Sequence, residues 1–160
     1  MSFTSQLKGF TDKTQKNGDK IFRGSLFGLF GRAVKRTPVG NPENWVYFDK
    51  SKGRYVDYIS ARGYPDGYRG GTLRGNWQAS IGSPSRGIVA GEDKSGAATI
   101  AKIALISSTA KLGDTAYLVN NLPYAKKIEE GGSTQAPEGM VRVSVLEFDR
   151  IVKKQARAVK

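Results

Sequence analysis

Residues 119–132 read Val-Asn-Asn-Leu-Pro-Tyr-Ala-Lys-Lys-Ile-Glu-Glu-Gly-Gly, and residues 135–140 read Gln-Ala-Pro-Glu-Gly-Met. This stretch joins an apolar strand to an apolar-striped helix through a connection rich in proline, glycine and asparagine. Most connections in compact domains run about four to six residues. A connection this long, with Tyr124 and Ile128 inside it, indicates a contact surface rather than a simple turn.

Two strands are predicted on the N-terminal side of this connection. Residues 114–119 form one, and residues 73–81 form the other, with Trp77 and Ile81 on one face and Arg74, Asn76 and Gln78 on the opposite face because successive side chains alternate. A row of polar side chains on one face suits either solvent or the sheet edge of a partner. These strands are expected to make the core sheet.

Three helical regions are predicted from apolar residues at three-to-four spacing. Residues 3–36 form a long helix that ends before Pro38, and Asn17-Gly18 is expected to break it. A central helix covers about 95–112, with Asp93 or Ser95 as its cap.

The expected buried stripe of the central helix consists of Ala97, Ala98, Ile100, Ala101, Ala104, Leu105 and Ser108. A C-terminal helix covers about 138–157, because Pro137 and Glu138 suit a helix N-terminus.

The segment from 40 to 70 differs in character from the rest. Residues 45–48 and 54–59 are β-prone runs joined by a turn-rich pentapeptide, which predicts a hairpin. Its aromatic residues and neighbouring arginines suit either nucleic-acid stacking or a protein interface. We favour the interface, because the chain has no recognised nucleic-acid-binding fold. The candidate interface aromatics here are Trp45, Tyr47, Tyr55, Tyr58, Tyr64 and Tyr68.

Length and charge restrict the class of protein. A chain of 160 residues suits one domain, covering 1–160. Its 26 basic and 14 acidic residues give a net charge of +12, which indicates either a polyanionic neighbour, most simply DNA, or merely a soluble basic protein. The candidate DNA-facing residues are Arg32, Lys35, Arg36, Lys153, Lys154 and Arg157.

The residue types argue against catalysis. The chain contains no cysteine and no histidine, which excludes disulfides, thiolate or imidazole metal sites, and Cys or His nucleophile–base pairs. The glycines match no phosphate-binding loop, and the acidic pairs 92–93 and 129–130 are typical of solvated or salt-bridged residues. We therefore expect no enzyme activity, no cofactor, no metal and, because the chain contains no apolar run of about 20 residues, no transmembrane helix. The polar N-terminus lacks the apolar core of a signal peptide, so we do not expect the protein to be exported.

Three segments resemble the tail-completion (neck) family of tailed bacteriophages. They are Lys-Arg-Thr-Pro-Val at 35–39, Gly-Thr-Leu-Arg-Gly-Asn-Trp-Gln at 71–78, and the stretch from Ala116 to Arg142 that includes Asn-Leu-Pro-Tyr-Ala and Gln-Ala-Pro. Each segment is weak alone, but their order and spacing together are more specific. With the helices between them they cover most of the chain.

The resemblance implies an α+β subunit in which a small antiparallel sheet is packed by the long N-terminal, central and C-terminal helices. It also implies a homo-oligomeric ring, six-fold around packaged DNA, in the virion neck and assembled in the host cytoplasm. The partners would be portal or adaptor proteins on the head side and tube or terminator proteins on the tail side. Residues expected to pair with the next subunit are Arg74, Asn76, Trp77, Gln78, Asn121, Pro123, Tyr124, Ile128, Gln135 and Met140.

Segment 40–70 departs from the family pattern, since many members pass almost directly from Thr-Pro-Val into the second motif. We expect an inserted hairpin arm. Deleting residues 42–68 should leave the monomer folded but weaken ring or neck assembly. Three alternatives remain at this point: a basic nucleic-acid-binding module, a membrane-surface protein using residues 21–36, and another neck component such as a tail terminator or head-closure protein.

Overall fold

The computed structural model describes residues 2–63, 65–66 and 68–159 and has the predicted mixed α+β class. In chain order the elements are α1 (Phe3–Arg36), a 3₁₀ turn (Pro42–Asn44), β1 (Val46–Asp49), β2 (Arg54–Asp57), α2 (Tyr58–Arg62), α3 (Thr72–Gly75), β3 (Trp77–Ile81), α4 (Ala97–Thr109), β4 (Ala116–Asn120), α5 (Ala125–Glu129), α6 (Val141–Leu146) and α7 (Phe148–Ala158).

The core surrounds the second half of α1. This half packs against α4 and against α6 and α7, while the antiparallel pair β3–β4 lies on α4. Buried apolar side chains from all these layers meet in one cluster, which includes Leu26, Phe30, Val34, Leu73, Trp77, Ile103, Ala110 and Met140. The predicted arrangement of one long, one central and one C-terminal helical region around a small sheet is confirmed.

The long helix is continuous, so the predicted break at Asn17-Gly18 is wrong. A glycine inside a helix costs about 1 kcal/mol relative to alanine, but packing offsets this cost. A Cβ at position 18 would lie 2.7 Å from Leu112, so the absent side chain makes room for the segment after α4. Asp19, the next residue, accepts a hydrogen bond from the Leu112 N–H at 2.8 Å.

The strand predicted at 73–81 begins only at Trp77. Residues 72–75 form the helical turn α3, in which the Gly75 N–H donates to the Gly71 carbonyl at 2.8 Å. Gly71 has a φ of 90°, and a Cβ there would lie 2.7 Å from the backbone nitrogen of Lys94. The turn therefore depends on a conformation and a close approach that only glycine provides.

The helix α4 is shorter than predicted and buries a different face. Its buried residues are Thr99, Ile103 and Ser107, whereas Leu105 is 70% exposed. The expected stripe at 97, 98, 101, 105 and 108 is thus on the solvent side. On the buried face, Ile103 belongs to the core cluster and the Thr99 hydroxyl donates to the Asp93 carboxylate at 2.8 Å.

The predicted C-terminal helix at 138–157 is two helices, α6 and α7, which meet at Glu147. The Glu147 N–H donates to the Ser144 carbonyl at 3.2 Å, a tight turn that ends α6. Its carboxylate forms ion pairs with Arg32, Arg36 and Arg150. The junction between α6 and α7 therefore lies at an acid that pairs with two arginines of α1 and one of α7.

The 40–70 segment forms the predicted hairpin, with Val46 opposite Asp57 and Asp49 opposite Arg54. Tyr58 and Ile59 belong to α2 rather than to the second strand. Elements of the segment make their extensive contacts with one another. Its two ends lie side by side, since a Cβ on Gly70 would lie 2.7 Å from the Gly40 carbonyl oxygen. The segment therefore leaves the rest of the chain and returns to it at neighbouring points.

Candidate subunit interface

The segments around Thr37, Arg74 and Trp77 are locked together in the interior. The Trp77 indole Nε1–H donates to the Thr37 hydroxyl at 2.6 Å, and that hydroxyl donates to the Ala33 carbonyl at 2.8 Å. The Arg74 guanidinium donates to the carbonyls of Thr37 and Lys94. These bonds fix the end of α1 against the start of β3.

Asn76 anchors the long loop that follows β3. It is 0% exposed, its side-chain amide donates to the Val89 carbonyl at 2.8 Å, and its oxygen accepts from the Val89 N–H at 2.9 Å. Gln78 and Asn121 hold the same loop by donating to the Gly87 carbonyl at 3.0 and 2.8 Å. A buried asparagine that forms hydrogen bonds with the backbone of a loop in this way stabilises the fold.

Four of the predicted interface residues therefore need correction. Asn76, Trp77 and Met140 lie in the interior, and the guanidinium of Arg74 is engaged with backbone carbonyls. Alternation along a strand placed Arg74 and Asn76 on an open face, but both precede the strand. Polar residues so placed supply hydrogen bonds to buried backbone groups, not a surface for a partner.

The connection between β4 and α6 also packs inward on one side. Ala125, Ala136 and Met140 are buried, and the Glu129 carboxylate accepts hydrogen bonds from the N–H groups of Met140, Val141 and Arg142 at 2.8 to 2.9 Å. Burial raises the pKa of Glu129, but these hydrogen bonds outweigh it and hold the pKa below its ordinary value of 4.5.

Glu129 thus supplies the negative charge at the start of α6, the role that the sequence assigned to Glu138. Glu129 lies twelve residues before Val141, so no local sequence pattern indicates this contact. The N-cap residue of α4 is Gly96 and not the predicted Asp93 or Ser95. Both side chains still bond to this end of the helix, because Asp93 accepts from the Gly96 and Thr99 N–H groups at 2.8 Å and Ser95 accepts from the Ala97 N–H at 3.1 Å.

A groove lies on the outer side of this connection, between it and the base of the hairpin. Its volume is about 560 Å³, and five of the predicted interface residues line it: Trp45, Tyr68, Tyr124, Ile128 and Gln135. Val46 and Leu73 line it as well, although sequence inspection did not assign them there. Pro123 is exposed nearby. We call this cavity the neutral groove, because the described residues that line it are all uncharged.

Several aromatic residues of the 40–70 segment contact one another. Trp45 makes edge contacts with Tyr58 and Tyr68 at ring-centroid distances of 5.3 and 4.9 Å. Arg62 lies 4.3 Å from the Tyr47 ring centroid. Tyr55 pairs with Phe48 at 5.1 Å on the exposed hairpin, and Tyr64 lies outside the described residues. The Trp45 and Tyr47 rings are thus engaged within the segment, whereas Tyr55 is 69% exposed.

The candidate DNA-facing residues lie on two helices, α1 and α7. Arg32 and Arg36 form ion pairs with Glu147, so they join helices as well as contributing positive charge. Lys35 is exposed on the last turn of α1. On α7, one face carries Arg150, Lys153, Lys154 and Arg157 around Asp149, which pairs with Lys153 at 2.6 Å.

A further apolar feature was missed as a contact site. Residues 2–16 of the chain are all exposed, and Phe3, Leu7 and Phe10 on this part of α1 are 78, 54 and 70% exposed. The signal was available in the helix length. A helix of 34 residues is about 51 Å long, whereas a compact chain of this size has a radius of gyration of about 15 Å.

Comparison with known proteins finds no match for this chain among family models, curated proteins or solved structures. Within residues 2–63, 65–66 and 68–159, acidic residues form no cluster of three that could hold a metal ion. No helix in that part of the chain has the length and apolar character needed to cross a membrane.

Proposed function

We propose that the chain is a structural subunit of a homo-oligomeric ring in the neck of a tailed bacteriophage, joining the head connector to the tail around the DNA channel. One observation carries this proposal. The three segments that resemble the tail-completion family, far apart in sequence, pack together: Thr37 bonds to Trp77, Asn120 donates to the Leu73 carbonyl at 2.8 Å, and Gln135 donates to the Val39 carbonyl at 3.3 Å.

This arrangement bears on whether the resemblance reflects shared architecture. Three unrelated matches of composition would have no reason to meet at one junction. Here the first segment supplies the end of α1, the second the turn into β3, and the third the strand paired with β3. The residues that carry the resemblance are those that define the junction.

The exposed apolar side chains support the proposal that the chain is a subunit of a larger assembly. Beyond the first turns of α1, Leu105, Leu112, Val145 and Leu146 are all more than half exposed. A contiguous exposed apolar patch marks an interaction surface, and Phe3, Leu7 and Phe10 form such a patch on one face of α1. In the proposed ring, neighbouring subunits, portal or adaptor proteins and tail proteins cover such surfaces, and the chain performs no catalysis.

The charge supports a polyanion as neighbour. The basic face of α7 carries four cations with Asp149 as its acid, in a chain of net charge +12. Packaged DNA in the channel is the neighbour that the ring would provide. This location would place the protein in the virion after assembly in the host cytoplasm.

Negative-stain electron microscopy of the purified chain tests the proposal. We expect closed rings of uniform diameter with a central hole, most simply six-fold. Compact single particles at every protein concentration, or open-ended filaments, would contradict the proposed ring.

A basic nucleic-acid-binding module is the second candidate, and the α7 face is the observation that favours it. Its signature would be tight binding of duplex DNA by the monomer, weakening steeply with salt because counterions are released. If this candidate is correct, replacing Lys153, Lys154 and Arg157 with glutamine should abolish binding of duplex DNA. For a neck subunit the same variant should still form rings.

A further inference from the structure

The exposed stripe on α1 needs a partner. We define the arm stripe as Phe3, Leu7 and Phe10, which recur at three-to-four spacing and therefore lie on one helix face. Their exposed fractions of 78, 54 and 70% are far above those of the apolar residues in the second half of the same helix, such as Leu26 and Phe30 at 6 and 7%. Large apolar side chains gain about 1.5–3 kcal/mol each when removed from water.

The neutral groove offers a matching surface on the same chain. Its wall combines Trp45, Val46, Tyr124 and Ile128, and its lining residues are uncharged. Burial also raises the pKa of Tyr124 above 10.0, so its phenol stays neutral at physiological pH. Two copies that each carry +12 repel one another, so they associate most favourably through surfaces that lack bases. The arm stripe and the neutral groove both meet that condition.

The arm stripe is too far away to fill its own groove. The groove begins at Pro38, just beyond the end of α1, and α1 is continuous from Phe3 to Arg36. The 26 residues from Phe10 to Arg36 span about 39 Å at 1.5 Å per residue. A cavity of about 560 Å³ does not cover that distance. Any contact between the two surfaces therefore joins different molecules.

We infer that the arm stripe of one copy occupies the neutral groove of the next copy, and that this contact links successive subunits. The inference rests on the ring proposed above. The two surfaces are unlike, so the contact is heterologous and each subunit both gives an arm and receives one. Such a contact makes a ring when the rotation closes.

The size of the contact sets its strength. Aromatic side chains bury about 150–250 Å² each, so the arm stripe would remove on the order of 500 Å² from water on its own side and a similar area in the groove. The total is close to the lower limit of about 1,200 Å² for a stable interface. One such contact is weak, and a closed ring gains because every subunit is held by two.

Cross-linking between single-cysteine variants tests the inference, since the natural chain has no cysteine. A Leu7→Cys chain is mixed with a Val46→Cys chain that carries a size tag, and a short bismaleimide is added. We expect the mixed dimer to be the main product, at least tenfold above that from two controls. These are Ser5→Cys, on the opposite face of the arm, mixed with Val46→Cys, and Leu7→Cys mixed with Leu105→Cys.

The controls decide between occupants. Equal coupling of Leu7→Cys to Leu105→Cys would place the arm on α4 and overturn the inference. A product consisting mainly of Leu7→Cys with itself would mean that two arms pair with each other, which also overturns it. Microscopy separates the two proposals: rings formed by a Phe3→Ser/Leu7→Ser/Phe10→Ser variant would refute the arm contact alone, whereas the absence of rings from the natural chain would refute the neck proposal.

Discussion

The two halves of α1 have similar side chains and opposite surroundings. Phe3, Leu7 and Phe10 in the first half are exposed, whereas Leu26 and Phe30 in the second half are buried against neighbouring helices. Both halves show apolar residues at helical spacing. The difference lies in what packs against them, because α4, α6 and α7 cover only the second half. Periodicity therefore identifies an apolar face but not its partner.

The comparison also separates folding from assembly. Apolar burial in the second half stabilises the monomer, whereas the first half contributes mainly when another molecule covers it. Matched substitutions in the two halves should consequently change different observables.

The largest difference is expected from one substitution made in both halves. Leu26→Ala removes a buried side chain and leaves a cavity, so it should lower the free energy of unfolding by about 2–5 kcal/mol. Leu7→Ala alters a residue that is exposed in the monomer, and at a protein concentration that keeps the chain monomeric it should change this free energy by less than about 0.5 kcal/mol. Chemical denaturation followed by circular dichroism measures both. Equal losses in the two variants would show that the first half is packed within the monomer.

Two adjacent glutamates provide a second, smaller contrast. Glu129→Gln weakens the charged cap on α6, which packs on the second half of α1, and should cost about 1.5–3 kcal/mol. Glu130→Gln alters an exposed acid whose partner is Lys126 at 3.8 Å, and should cost less than about 0.5 kcal/mol. Urea denaturation of the two variants measures the difference. Similar losses would refute the capping role of Glu129.

The same cap predicts a pH dependence. The pKa of Glu129 lies lower in the folded chain than its ordinary value of 4.5, so its contribution is fully present above that pH and is lost as the pH falls through the folded-state pKa. The natural chain should thus lose stability faster than Glu129→Gln as the pH falls below 4.5. Parallel curves of unfolding free energy against pH would contradict this assignment.

The smallest contrast concerns two glycines of α1. Gly9 has open space around it, so Gly9→Ala should raise the helical circular dichroism signal through a gain of up to about 1 kcal/mol in helix propensity. A Cβ on Gly28 would lie 2.8 Å from Ile151 of α7, which is buried. Gly28→Ala should therefore lower the melting temperature, because overpacking costs about 1–3 kcal/mol. A higher melting temperature for Gly28→Ala would indicate that α7 shifts to accommodate the added methyl group.

Local sequence patterns predicted the elements well and their surroundings less well. The hairpin, the paired strands β3 and β4, and the bonding of Asp93 and Ser95 to the first turn of α4 follow from alternation, turn residues and short-range hydrogen bonding, all of which act over a few residues. The continuity of α1 at Gly18 depends on Leu112, and the start of α6 depends on Glu129. Such long-range contacts leave no local pattern.

The candidate site shows the same division. Trp45, Tyr68, Tyr124, Ile128 and Gln135 were predicted as contact residues and line one groove, because aromatic residues in turn-rich segments stay near the surface. Asn76 and Arg74 were predicted on an open face, yet they bond to Val89, Thr37 and Lys94 backbone groups. Sequence alone does not distinguish a polar residue that meets a partner from one that holds its own loop.

The most direct test of the account is the solution mass of the chain, measured by light scattering beside that of a chain lacking residues 2–16. We predict that the full chain forms one closed species of fixed mass, a whole-number multiple of 17.4 kDa. The shortened chain should be a folded monomer whose melting temperature, unlike that of the full chain, does not depend on protein concentration. A full chain that stays monomeric at all concentrations would contradict the account.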